Sequence, residues 1–105
     1  MLHDKKTEQL CRQVYRRLAL AFGDFDDPLL QGLSVDSVQP ELGGGALVVT
    51  VCLPPGAAAS DEAQLLTRLD SVAGRLRSEV AAAISRKRTP RLAFRVASDA
   101  YPDNF

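Results

Sequence analysis

Residues 61–97 read DEAQLLTRLDSVAGRLRSEVAAAISRKRTPRLAFRVA, and the fold turns on how this stretch divides. Ser60 is a good N-cap, and Asp61 and Glu62 suit the positive end of a helix. Leu65, Leu66, Leu69, Val72 and Ala73 before Gly74, and Leu76, Val80, Ala83 and Ile84 after it, recur at helical spacing. The apolar phase runs straight through Gly74, so periodicity alone gives one helix over 61–88. That rod would be about 42 Å long, whereas a compact domain of this length is about 33 Å across. A bend is therefore predicted at Val72-Ala73-Gly74, where glycine lowers its cost and leaves backbone groups open to a ligand. Pro90 limits the second helix. Leu92, Phe94 and Val96 then alternate with polar or small residues, which predicts a strand over 91–97.

What precedes this stretch reads as its apolar cover. Leu10, Val14, Leu18 and Phe22 repeat at i+4, giving an amphipathic helix over 4–22 that Gly23 ends. GDFDDPLLQG reads as a loop; its aspartates lack the ligand number and spacing of a calcium site and suit turn chemistry before Pro28. Leu33, Val35 and Ser37 alternate with Ser34 and Asp36 in a strand over 33–39. In the strand over 46–53, Leu47, Val49, Val51 and Leu53 face one way and Val48, Thr50 and Cys52 the other. Being apolar on both faces, it is the more central of the two. Gly43, Gly44 and Gly45 supply positive φ to the hairpin between them. A phosphate cradle would need a helix to follow these glycines, and a strand follows. The tail SDAYPDNF is expected to fray.

At 105 residues the chain is expected to form a single domain over 1–105, with its core at about 7–98 and one two-layer core. No apolar run is long enough to span a bilayer and no signal core opens the chain, so no membrane partner and a cytoplasmic location are expected. Cys11 and Cys52 lack metal or redox spacing and are expected to be buried, reduced thiols. His3 stands alone, and no nucleophile motif, phosphate loop or metal quartet is present. No catalytic residue, metal or cofactor is therefore expected.

Net charge is zero, yet the charges are sorted. Between 75 and 95, seven bases meet only Glu79, leaving +6; between 24 and 41, five acids meet no base, leaving −5. A local patch matters more to a polyanion than the sum does. On the helix after Gly74, Arg75 and Arg86 line one edge of the apolar stripe and Arg77 and Arg88 the other. The opposite face holds only Ser78, Ala81, Ala82 and Ser85. A smooth face flanked by guanidiniums lets a phosphate backbone approach closely. The plainer alternative is that the arginines cover the core edge and the alanines favour helix.

Three blocks carry a family resemblance: DDPLLQGLSVDSVQPEL after helix 1, ALVVTVCL, and AGRLRSEV running into RKRTPRLAF. Over roughly residues 8–98 the sequence resembles ribosome-binding factor A, a bacterial factor for small-subunit maturation. The resemblance implies an α+β fold, a KH-like (type II-like) αββααβ two-layer domain with a three-stranded sheet and helices packed on one face. It implies a non-enzymatic monomer that binds the small (30S) ribosomal subunit and its 16S rRNA, assisting late maturation and rRNA processing. By position, Gly74 matches the family's helix-kink glycine, with Val72 where alanine is usual, and Arg77-Ser78 the Arg-Ser pair. Lys87 matches a basic position before the last strand, and Pro90 and Leu92 the start of that strand. The expected RNA-binding residues are Arg75, Arg77, Ser78, Arg86, Lys87, Arg88 and Arg91, with the kink at Val72, Ala73 and Gly74. A protein–protein module, or a KH-like domain with a non-ribosomal RNA target, is the alternative.

Overall fold

The computed structural model describes residues 5–43, 45–54, 56, 61–84 and 89–97. In chain order these form α1 (Lys5–Gly23), α2 (Pro28–Gln31), β1 (Ser34–Pro40), β2 (Ala46–Cys52), α3 (Asp61–Ser71), α4 (Ala73–Ala83) and β3 (Arg91–Val96). Ser60, Gly44, Ser85, the Arg86-Lys87-Arg88 cluster and the tail from 98 lie outside the described residues. The order is the expected KH-like αββααβ with one added turn of helix. No helix among the described residues is long and apolar enough to cross a membrane.

β2 is the central strand of a three-stranded sheet. It pairs antiparallel with β1 and parallel with β3. Its alternation falls as the pattern requires: Leu47, Val49 and Val51 are buried, while Val48, Thr50 and Cys52 are half-buried on the opposite face. Leu10, Val14, Leu18 and Phe22 of α1, Leu65 and Leu69 of α3, and Leu76 and Val80 of α4 join the same core cluster. Leu92, Phe94 and Val96 pack against that cluster too, and Arg91, Ala93 and Arg95 alternate with them along the strand.

Three sequence expectations need correction. The first strand does not alternate throughout. Val35 pairs with Val51 and Val38 with Val49, with a register shift between Val35 and Ser37. The bulge at Asp36 brings Val38, rather than Ser37, into line with the core face. The second correction lies in the aspartate-rich loop, which contains α2. Asp27 caps it by accepting a hydrogen bond from the Leu29 amide at 3.0 Å, and Pro28 occupies the first turn, where its missing N–H costs nothing. Arg68 of α3 donates to the same Asp27 oxygen at 2.6 Å, tying this turn to the helix layer. Thirdly, both cysteines are half-buried rather than buried. Burial still pushes the Cys11 thiol up from its ordinary range, which keeps it protonated at neutral pH. At the hairpin, Gly43 has the positive φ, 71°, that the turn requires.

Candidate nucleic-acid interface

The site begins at the junction of α3 and α4. α3 packs on β3 and α4 packs on α1, and the chain changes helix at a single residue, Val72, with φ −109° and ψ 9°. The Val72 amide donates to both the Arg68 and Leu69 carbonyls at 3.2 Å, and the Leu76 amide donates to the Val72 carbonyl at 3.0 Å. The glycine does not make the bend. Gly74 lies inside the first turn of α4 and has no positive φ. Its missing side chain matters for another reason: it opens the wall of a groove.

That groove has a volume of about 990 Å³. One wall is the outer face of α4, where Gly74, Arg77, Ser78 and Ala81 fall on one side at i, i+3, i+4 and i+7. The second is the approach to β3, Thr89-Pro90-Arg91, with Ala46 and Leu47 at the start of β2. The far rim is Thr7 and Leu10 of α1. Arg77 donates from Nη2 to the Thr89 carbonyl at 3.2 Å, which fixes its guanidinium between α4 and the last strand and leaves other N–H groups for a ligand.

The expected site residues divide. Gly74, Arg77, Ser78 and Arg91 come together in the groove. Ala73 lines a separate, smaller hollow with Leu66, Leu69, Asp70 and Leu92. Arg75 does not line the groove; its guanidinium lies 4.4 Å from the centre of the Phe25 ring, a cation–π contact on the α2 side. α4 ends at Ala83 and Ile84 is extended, short of the helix expected to 88. Arg86, Lys87 and Arg88 themselves lie outside the described residues.

Glu79 is the one acid of the basic stretch, and it points elsewhere. Arg17 of α1 donates to Glu79 Oε1 from Nε at 3.1 Å and also from Nη2. That hydrogen bond, then the Arg17 charge, holds the Glu79 carboxyl below the ordinary carboxylate range. The pair clamps α4 to α1, and neither partner lines the groove. Sequence reasoning missed Thr7, Leu10, Pro40 and Leu47 as groove residues. No local signal marks them, because only packing brings α1 and the hairpin beside α4.

Gly74→Ala separates the two roles of this residue. An added Cβ meets nothing within 4 Å, so the variant is expected to be more stable, by up to about 1 kcal/mol. The same methyl would stand on the groove wall and weaken a ligand that approaches the helix closely. Thermal melts and a binding titration on one preparation check both; a less stable variant would show that the glycine is conformationally required after all.

No family model and no curated protein sequence matches the chain. Among solved structures, the crystal structure of ribosome-binding factor A from Thermus thermophilus matches with a TM-score of 0.72 and 29% identity. The match covers 86% of this chain and 93% of that one. A homology model of the Thermus thermophilus factor, fitted into a cryo-EM map of its complex with the 30S subunit, matches with a TM-score of 0.63 and 27% identity. It covers 81% of this chain and 88% of that one.

Proposed function

We infer that this chain, which fold and sequence likeness assign to the ribosome-binding factor A family, binds the small ribosomal subunit through the groove between α4 and β3 and assists late maturation of its 16S rRNA. The observation that carries this reading is that Arg77, on the α4 wall with Gly74, Ser78 and Ala81, and Arg91, on the β3 side, line one groove. Such a wall lets a sugar–phosphate backbone come close, and two guanidiniums on either side hold it in register without reading bases. The nearest acid on α4 is neutralised by Arg17 and turned toward α1, so it does not repel the strand. The factor fitted to the 30S map supports the choice of partner.

The direct test is sedimentation of tagged protein with cell lysate. The protein is expected to run with free small subunits, and Arg77→Glu combined with Arg91→Glu is expected to return it to the top of the gradient without lowering its melting temperature, because exposed charges contribute little to stability. A wild-type protein that stays at the top would overturn the assignment of partner.

A further inference from the structure

We propose that the RNA strand does not end in the groove but continues along β3 on the helix-free face of the sheet, from Arg91 to Arg95; this rests on the groove reading above. Arg91 lines the groove and opens β3. Arg95 follows four positions later, on the same face of the strand, because Leu92, Phe94 and Val96 take the core side. The two guanidiniums are rooted about 13 Å apart along the strand. A stacked strand advancing about 3.4 Å per nucleotide covers that distance in about four nucleotides.

The surface between them suits a passing backbone. Ala93, which also borders the hollow against α3, stands between the arginines, and Val48 and Thr50 of β2 lie alongside, paired with Ala93 and Arg95. All three are small or medium residues, half-buried, and they build no ridge across the path. Both arginines are exposed, and among the described residues neither has an ion pair or a side-chain hydrogen bond. Among the described residues, Asp36 on the bulge of β1 and Glu41 just past its end lie across β2 from β3, and Asp70 is in the hollow on the helix side of β3. Charge therefore guides the strand along β3 and away from β1. A protein partner would more often be met by a central aromatic anchor, and this face carries none among the described residues.

Oligouridylates of about four and about ten nucleotides test the extension, since a KH-type groove clamps about four. Arg95→Gln is expected to leave the short probe unaffected, to weaken the long one several-fold, and to reduce its salt slope by about 0.7; Arg95→Lys should restore the slope. Unchanged binding of the long probe by Arg95→Gln, alongside a loss with Arg77→Gln, would remove the track and keep the groove. Loss with neither variant would remove the groove and the track together. If Arg95→Gln weakens binding to purified small subunits but not to either oligonucleotide, this face meets protein, and the proposal is wrong.

Discussion

Val51→Asp is expected to unfold the protein. Val51 has no exposed surface and lies in the central strand, paired with Val35 on one side and Val96 on the other. The substitution removes a packed side chain, which costs about 1.5–3 kcal/mol, and leaves a carboxylate with no partner, which costs several more. The whole stability of a domain this size is about 5–15 kcal/mol, so the variant sits at or below the folding threshold. Circular dichroism should show loss of the cooperative melt. Val51→Ala is the control: it should remain folded, with a melting temperature lowered by several degrees. A soluble Val51→Asp protein with a cooperative transition would mean that the face of β2 is misassigned, because a one-residue slip exchanges its two faces.

Salt should change affinity for the small subunit more than any single exposed substitution does. If about five bases meet phosphates, the slope of log K against log salt is about −3.5 to −4.5, a loss of roughly 100- to 500-fold between about 50 and 200 mM. The slope also counts participants. Arg77 and Arg91 alone would give about −1.4 to −1.8, so the steeper value requires further bases, such as Arg86, Lys87, Arg88 and Arg95. Reversing Arg86, Lys87 and Arg88 together should flatten the slope while leaving the melting temperature nearly unchanged. A slope near zero would replace RNA with a docked protein as the ligand.

The core is legible in the sequence because its signal is periodic. Leu10, Val14, Leu18 and Phe22, and Leu47, Val49 and Val51, all face inward as their spacing requires. What escapes is local and compensated. SVDSV alternates in either of two phases, and only pairing with β2 selects the one with a bulge at Asp36. α2 is too short for periodicity, though Asp27-Pro28 is its cap written in sequence. The helix break is expected over Val72-Ala73-Gly74 because glycine bends cheaply. It falls at Val72 because α3 must lie on β3 and α4 on α1, a demand that intrinsic propensity does not record. The site is half legible for the same reason. Helical phase puts Arg75 and Arg77 on opposite edges, but does not say which edge meets a groove. Phe25 claims one and the Thr89 carbonyl the other.

The parallel pairing of β2 with β3 also orders the events of folding. Every rung of that ladder joins residues almost half the chain apart, whereas β1 and β2 close over a short turn. Closing a long loop costs entropy before its contacts return anything. Helix α1 and the hairpin can therefore organise early, and β3 docks late. The groove takes one wall from Thr7 and Leu10, near the start of the chain, and another from Thr89 to Arg91, near its end. A nascent or partly folded chain thus carries the basic residues without the surface that uses them. Nonspecific attraction to RNA is open to the unfolded chain once residues 75–95 are made, but registered binding waits for the last strand. Once made, it acts back on the fold, since a ligand that recognises only the finished molecule draws the population toward it.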